Sequence, residues 1–288
     1  MNDQAESLRL RLQQMDRQTI TKTLAVVSGK GGVGKSNFSL NFSLSLTKQG
    51  YTVLLFDMDI GMGNLDILMG TSSKLTIANF FQGECTLEEA IYDGPGGLQY
   101  IAGGSGLNHL VHLSDDMVHE FDAQLSQVME KYDYILFDMG AGVNEQSLKF
   151  ILSVDEVVVI TTPEPTSITD AYAMMKHLIL HNKNLPISIV VNRVTSNKEG
   201  MDTYRRLAEV LNRFLEKETS VLGMIPEDRN VRQAVIHQSP VVQYNPNAPA
   251  ARAFSEMADR INTKRTQEIP TSTVSQFAKR LKQFLFER

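Results

Sequence analysis

The stretch "TLAVVSGKGGVGKSN", residues 23–37, decides the fold. Its first six residues are mostly apolar or β-branched, and they predict a strand. The run "NFSLNFSLSLTKQG", residues 37–50, predicts a helix that ends at a glycine C-cap. Between the two, Gly29 to Ser36 matches the pattern G-x-x-x-x-G-K-[S/T] in the required context, with a strand before it and a helix after it. The stretch therefore predicts a strand-loop-helix unit that binds phosphate.

The loop in this unit has the residue types that phosphate binding requires. Glycines let the backbone form a nest of N–H groups, and the N-terminus of the following helix adds a favourable dipole for an anion. We expect Lys35 to contact the β and γ phosphates and the Ser36 hydroxyl to bind Mg²⁺. The predicted nucleotide-binding residues of the loop are Gly29, Lys30, Gly31, Gly32, Val33, Gly34, Lys35, Ser36 and Asn37.

Composition places the chain among ordinary soluble proteins. Its 288 residues suit one large α/β domain with short appendages, and the charged fraction of 21% argues against a membrane bundle. The net charge of −5 gives no general attraction to nucleic acid, so we expect no nucleic-acid partner. The single cysteine, Cys85, excludes an internal disulfide and a four-thiolate site. The first 20 residues are polar and charged, unlike a signal peptide, so we expect a cytoplasmic protein.

Strands and helices are predicted to alternate along the chain. Apolar runs such as "VVVIT" and "ISIVVN" indicate strands that are buried on both faces, as in a parallel sheet covered by helices. Predicted strands lie near 52–57, 98–102, 133–138, 155–161, 187–192 and 219–223. Predicted helices lie near 115–131, 166–182, 201–217 and 248–262. We therefore expect a doubly wound, mostly parallel α/β sheet flanked by helices.

Aspartates close two of the predicted strands. "YTVLLFDMD" ends with Asp57 and Asp59, and "YDYILFDMGAG" places Asp138 before two glycines. Ligands of parallel sheets bind at the carboxyl edge of the strands, and a carboxylate there is costly unless it faces a cation or its waters. The sequence favours a site for a cation at this edge, although capping of the next segment would also explain these aspartates.

Several motifs together resemble the MinD/ParA class of deviant-Walker ATPases. They are "KGGVGKS" (30–36), "DMDIGMGNLD" (57–66), "FDMGAG" (137–142), "TTPEPTSITDAYA" (161–173), "VVNRV" (190–194) and "GMIPED" (223–228). The resemblance extends over roughly residues 23–262. Within the class, "DQAESLR" (3–9) and the glycine at position 140 are similar to the FlhG branch, whose members regulate flagellar number and placement.

The resemblance implies a slow ATPase that forms an ATP-dependent homodimer. Lys30 would reach the partner subunit's nucleotide and offset the repulsion between two facing triphosphates, although contact with its own phosphates or with solvent remains an alternative. Asp59 would orient the attacking water, and Lys35 would complete the catalytic set. Asp57 and Asp138, with Ser36, would hold Mg²⁺.

Two further groups of residues acquire roles from the same resemblance. Asn64 would assist on the phosphate side of the nucleotide. The residues implied for the base pocket are Asn192, Arg193, Pro226, Glu227 and Asp228.

The N-terminal segment, residues 1–20, carries an amphipathic pattern. Its apolar stripe would either cover the core or, as the resemblance implies, bind the GTPase FlhF and stimulate it. The residues implied in that contact are Asp3, Gln4, Ala5, Leu8 and Arg9. The other partners implied are flagellar C-ring proteins of the FliM/FliY type.

The C-terminal segment is predicted to be a polar linker, 263–273, and a basic amphipathic helix, 274–288. The apolar residues of this helix are Val274, Phe277, Leu281, Phe284 and Leu285, and its cations are Lys279, Arg280 and Lys282. We expect it to bind the inner face of the cell membrane reversibly, with packing back onto its own domain as the alternative.

Three other functions fit the phosphate loop less well. A ParA-type ATPase that positions DNA or cargo would need a basic surface, with local support from Arg252, Arg260, Lys264 and Arg265. An iron–sulfur scaffold needs paired cysteines. A GTPase would carry lysine and aspartate after Asn192, where this chain has Arg-Val-Thr.

Overall fold

An eight-stranded sheet runs through the part of the chain that the computed structural model describes, namely residues 21–59, 63–104, 115–142, 145–267, 277 and 279–281. The strands are β1 (Lys22–Val27), β2 (Val53–Met58), β3 (Tyr92–Asp93), β4 (Gln99–Ile101), β5 (Tyr134–Met139), β6 (Glu156–Thr161), β7 (Ile187–Val194) and β8 (Ser220–Pro226). Their order across the sheet is β3-β4-β2-β5-β1-β6-β7-β8, and every pair is parallel except β3 with β4. The predicted doubly wound, mostly parallel fold is confirmed.

Helices cover both faces of this sheet. They are α1 (Lys35–Lys48), α2 (Leu65–Met69), α3 (Ile77–Phe81), α4 (Asp115–Met129), α5 (Glu145–Ser153), α6 (Pro165–His181), α7 (Asn197–Leu215), α8 (Arg229–Ile236), α9 (Val241–Tyr244) and α10 (Pro249–Gln267), with a short 3₁₀ turn at Pro95–Gly97. Helices α1 and α10 pack on one face, and α4 to α7 pack on the other. None of these described helices is both long enough and apolar enough to cross a bilayer.

The central strand β1 shows why the sheet needs both layers. Every residue of β1 is buried, in keeping with the absence of polar alternation in its sequence. Leu24 and Val26 face the core beneath α1 and α10, while Ala25 and Val27 face the core beneath α4 to α7. The strand therefore delivers the phosphate loop from the middle of a structure packed on both sides.

Helix α10 corrects the predicted linker boundary. It continues to Gln267, so residues 263–267 are helical and not linker, while 268–273 lie outside the described residues. Lys264 lies 3.6 Å from Glu156 and Arg265 lies 3.3 Å from Asp133, two carboxylates at the base of the sheet. These tertiary contacts extend the helix beyond the point where its apolar pattern ends.

The described part of the C-terminal segment is docked on the domain. Phe277 and Leu281 are buried in the core beneath α4 to α7, and the ring of Phe277 stacks on Phe137 with 5.6 Å between centroids. Arg280 donates to the carbonyl oxygen of Ser153 at 2.8 Å and to the Asp155 carboxylate at 2.6 Å. Of the two expectations, the observed packing is the alternative one, in which this segment folds back onto its own domain.

Several residues singled out in the sequence lie outside the described residues. They are Asp3, Gln4, Ala5, Leu8 and Arg9 at the N-terminus, and Val274, Lys282, Phe284 and Leu285 at the C-terminus.

Candidate nucleotide-binding site

The loop between β1 and α1 adopts backbone conformations that require glycine. Gly32 and Gly34 have φ of 79° and 93°, in the left-handed region that disfavours side chains. Glycine is required at position 29 for a different reason, because a Cβ there would overlap the backbone carbonyl oxygen of Asp170 in α6. Gly34 is the N-cap of α1, so the loop ends at the N-terminus of a 14-residue helix, which favours an anion.

Two predicted carboxylates face each other across neighbouring strands. Asp57 on β2 is directly paired in register with Asp138 on β5, at the carboxyl edge of the sheet. Asp57 is buried, and its oxygens accept hydrogen bonds from the backbone N–H groups of Asp59 at 3.0 Å, Asn64 at 3.1 Å and Leu65 at 3.4 Å. The last two of these bonds hold the start of α2, at Asn64 and Leu65, against the end of β2.

Asp138 binds two side chains of α1 through one of its oxygens. Its Oδ1 accepts from the Lys35 ammonium at 2.9 Å and from the Ser39 hydroxyl at 3.0 Å. Its Oδ2 is buried and has no hydrogen-bond partner among the residues that the structure describes. A buried carboxylate oxygen with a free lone pair, beside a second carboxylate, suits Mg²⁺ or one of its waters. The residues that would hold this ion are Ser36, in the first turn of α1, together with Asp57 and Asp138.

Burial also sets the electrostatics of these acids. Removal from water and, secondarily, the neighbouring Asp138 charge raise the pKa of Asp57 to about 7. Burial raises the pKa of Asp59 as well, against the opposing charge of Lys35. A site that disfavours its own negative charge in this way gains when a cation binds between the carboxylates.

Asp59 lies next to Gly140, the glycine whose position is similar to the FlhG branch. A Cβ at Gly140 would approach within 3.3 Å of Asp59 Oδ1, which is closer than most such contacts allow. Glycine at this position therefore leaves the Asp59 carboxylate room at the edge of the sheet.

Lys30 points away from the Lys35–Asp138 pair. Its ammonium lies 3.4 Å from both the Glu164 carboxylate and the Thr166 hydroxyl, at the beginning of α6. The Lys30 side chain is 43% exposed and that of Glu164 is 58% exposed, so the contact is a weak surface ion pair. Lys30 is thus accessible to a second molecule.

A cavity of about 410 Å³ opens beside the phosphate loop. The five predicted base-pocket residues, Asn192, Arg193, Pro226, Glu227 and Asp228, all line it. So do Asn37 and Gly34 of the loop and a set of apolar or cationic residues that sequence reasoning missed, namely Phe38, Ile225, Val231, Arg232, Val235, Ile236 and Phe254. The amphipathic pattern of α8 was a signal that could have indicated this wall.

Asp228 has a structural task within this cavity wall. Its Oδ1 accepts from the backbone N–H of Asn230 at 2.8 Å as the N-cap of α8, and its Oδ2 accepts from the backbone N–H of Ala250 at 3.1 Å. Burial alone would raise the pKa of Asp228, but these hydrogen bonds outweigh burial and lower it. The carboxylate therefore ties α8 to α10.

Other residues of the site had no sequence signal of their own. Ser39 lies one turn beyond Lys35, and Glu164 and Thr166 lie within a motif whose individual roles were not predicted. Their contacts depend on which strands and helices become neighbours. Val33, by contrast, is buried in the core beneath α1, so its contribution to the loop is made through its backbone.

The fold and this site define a P-loop nucleoside triphosphatase. A family model described as "ParA: NUBPL iron-transfer P-loop NTPase" matches residues 19–262. The chain belongs to this ParA family of P-loop NTPases, and its predicted relationship to the MinD/ParA class is confirmed. Iron transfer has no support in the cysteine content, since the chain holds Cys85 alone.

Two relatives resemble the chain over nearly its whole length. The chain is 34% identical over 272 residues to the antiactivator FleN of Pseudomonas aeruginosa, covering 94% of this chain and 97% of that protein. It is 36% identical over 275 residues to the flagellum site-determining protein YlxH of Helicobacter pylori, covering 94% and 92%.

A solved structure shares the fold. The septum site-determining protein MinD of Pyrococcus horikoshii, complexed with Mg-ADP, superposes with a TM-score of 0.71 at 26% identity, covering 85% of this chain and 98% of that one. This agreement confirms the predicted ATPase class, and the prediction of ATP or ADP with Mg²⁺ agrees with the Mg-ADP that this MinD binds.

Proposed function

We propose that this protein is an ATP-dependent dimerising ATPase of the FlhG type that controls flagellar number and placement. The similarity to FleN and YlxH supports this assignment, because it extends over nearly the whole length of both relatives. The proposal includes a nucleotide cycle in which ATP joins two subunits and hydrolysis releases them.

The observation that carries the proposal is the position of Lys30. It follows the first glycine of the phosphate loop, yet its ammonium contacts Glu164 and Thr166 and not the buried carboxylates. An exposed ion pair of this kind is worth about 0 to 1 kcal/mol, so Lys30 can leave it at little cost. In an ATP-bound pair of subunits, each Lys30 would neutralise phosphate charge on the opposite nucleotide.

The remaining site residues bind the phosphates, orient the attacking water or hold Mg²⁺. Lys35 exchanges Asp138 for the β and γ phosphates, and Asp59 orients the water that attacks the γ phosphorus. Ser36, Asp57 and Asp138 hold Mg²⁺, which neutralises charge on the phosphates when it is bound. The products are ADP and phosphate.

Recognition of the nucleotide extends along the loop and into the cavity. The backbone of Gly29 to Asn37 and the start of α2 at Asn64 serve the phosphates. The base enters the 410 Å³ cavity between Asn192, Arg193 and the Pro226–Asp228 turn.

Membrane attachment is the second part of the proposed cycle. Because Phe277 and Leu281 are buried in the described structure, the C-terminal segment has to detach before it can enter lipid. Lys279 is exposed, and Arg280 is paired with Asp155. Two detached segments on one dimer would bind far better than one, so dimerisation would control a reversible association of a cytoplasmic protein with the cell membrane.

Partner binding completes the proposal. Residues 1–20 would bind and stimulate FlhF, and FliM/FliY-type C-ring proteins would be further partners. Both expectations rest on the family resemblance.

Size measurements with defined nucleotides test the central claim. We expect a dimer with ATP, a monomer with ADP, and a longer-lived ATP dimer for Asp59→Ala. Lys30→Ala should remain monomeric with ATP, whereas Lys183→Ala, which removes another exposed, ion-paired lysine, should dimerise as the parent does. A parent that stays monomeric with ATP, or a Lys30→Ala variant that dimerises normally, would contradict the proposal.

A DNA-positioning role receives little support from the charges. Two of the four cations that would serve it are paired with buried carboxylates, Lys264 with Glu156 and Arg265 with Asp133. Salt-sensitive binding of the ATP form to non-specific DNA would revive this alternative.

A further inference from the structure

We infer that Asn192 and Arg193 are positioning residues of the phosphate loop, in addition to lining the base pocket. The inference rests on the proposed nucleotide site and assigns a second task to two residues of that site. Both lie near the end of β7, beside the loop, and both donate hydrogen bonds to its backbone.

The two contacts reach successive carbonyl groups of the loop. Asn192 Nδ2 donates to the carbonyl oxygen of Val33 at 2.8 Å, and the guanidinium of Arg193 donates to the carbonyl oxygen of Gly32 at 2.9 Å. The amide of Asn192 is itself fixed, because its Oδ1 accepts from the backbone N–H of Arg193 at 2.9 Å. An acceptor on one side and a donor on the other set a single orientation for this side chain.

Planar peptide geometry turns these contacts into control of the opposite side of the loop. The carbonyl of Gly32 and the N–H of Val33 belong to one trans peptide unit, so they point in opposite directions. The same holds for the carbonyl of Val33 and the N–H of Gly34. By holding the two carbonyls, Arg193 and Asn192 orient the two N–H groups away from the base pocket, as an anion nest requires.

Backbone strain at Arg193 and close packing at Gly34 support this role. Arg193 has φ of 58°, in the left-handed region that a non-glycine residue adopts at a cost. A bulge between Asn192 and Val194 in the pairing of β7 with β8 accommodates that turn. On the facing side, a Cβ at Gly34 would overlap Asn192 Nδ2, so a side chain at Gly34 would push the amide out of its contact with Val33. Asn192 and Arg193 thus join the base pocket directly to the backbone of the phosphate loop.

Inorganic tripolyphosphate separates the two tasks, because it has phosphates but no base or ribose. We expect Asn192→Ala to weaken the binding of Mg-tripolyphosphate by about three- to tenfold, the loss of one hydrogen bond, as well as weakening ATP. Val235→Ala, in the apolar wall of the same cavity, should weaken ATP and leave tripolyphosphate unchanged. Nitrogen relaxation of the Gly34 amide without ligand should show greater mobility in Asn192→Ala at an unchanged melting temperature.

A second pair of variants avoids the half-buried amide. Arg193→Met and Arg232→Met remove the same charge from the same cavity, but only Arg193 donates to the loop in the described contacts. Arg193→Met should weaken tripolyphosphate more than Arg232→Met does, and Arg193→Lys should recover part of the loss.

The outcomes distinguish this inference from the proposed function. If Asn192→Ala weakens ATP but not tripolyphosphate, the residue acts on the base alone and the inference is wrong. A parent that binds ATP but not millimolar tripolyphosphate would also overturn it, since a preformed loop should bind phosphates unaided. A parent that binds neither ligand would instead remove the proposed function.

Discussion

The ammonium nitrogen of Lys35 lies 2.9 Å from Asp138 Oδ1, and both side chains are almost fully buried. This ion pair joins the first turn of α1 to the carboxyl end of β5. The charge that we propose binds phosphate therefore also neutralises a carboxylate within the fold, so its removal should lower stability as well as catalysis.

Lys35→Ala should lower the free energy of unfolding by about 3 to 5 kcal/mol at pH 7.5, because it leaves buried carboxylates without a cation. Urea unfolding without Mg²⁺ or nucleotide measures the effect. Lys183→Ala, which breaks an exposed pair with Glu216, should cost less than about 1 kcal/mol. Equal losses in the two variants would show that the buried pair has no special role.

The pKa of Asp57 predicts how stability depends on pH. Burial raises this pKa from 3.8 to about 7, so between these values the folded protein binds more protons at Asp57 than the unfolded chain does. The contribution is fully present below pH 4 and is lost as pH rises through about 7, by at most about 4 kcal/mol. In EDTA, Asp57→Asn should therefore flatten the decline in unfolding free energy between pH 4 and 7. A parent and variant with the same slope would refute the assignment.

Glycines within the loop differ in their tolerance of a methyl group. Gly29→Ala should destabilise the protein by more than about 2 kcal/mol, because its Cβ meets rigid backbone of α6 at Asp170. Gly31→Ala places its Cβ 3.9 Å from the nearest atom, so its thermal stability should match the parent. Calorimetry of the two variants without ligand provides the comparison, and similar melting temperatures would be inconsistent with the close packing of the loop on α6.

Much of this site follows from the sequence, because its residues lie at the ends of strands. Asp57 and Asp138 close apolar runs, and a parallel sheet must bring such ends together at one edge. Ser39 and Glu164 could not be predicted in the same way, since their partners come from distant segments. The predicted end of α10 was wrong for the same reason, because ion pairs to Glu156 and Asp133 extend the helix beyond the end of its apolar pattern.

The docked C-terminal segment predicts a variant with increased lipid binding. Asp155→Asn should weaken the contact with Arg280 while leaving an oxygen that can still accept from Thr23, whose backbone N–H and hydroxyl it binds in the parent. We expect the nucleotide-free variant to sediment with anionic vesicles several-fold more than the parent does. Glu216→Gln changes the net charge equally on an exposed helix cap and serves as the control. Unchanged sedimentation of Asp155→Asn would mean that Arg280 does not retain the segment.

Phe277 and Leu281 are already shielded from water, which changes what a bilayer can offer them. Transfer of apolar groups out of water lowers the free energy. Transfer from a protein interior into hydrocarbon changes it little, because the two media have similar polarity. Their departure also uncovers Phe137, on the strand that carries Asp138. Hydrophobic transfer therefore contributes little to membrane binding of this segment. The binding free energy would depend mainly on the attraction of its lysines and arginine to anionic lipid and on the number of segments per assembly.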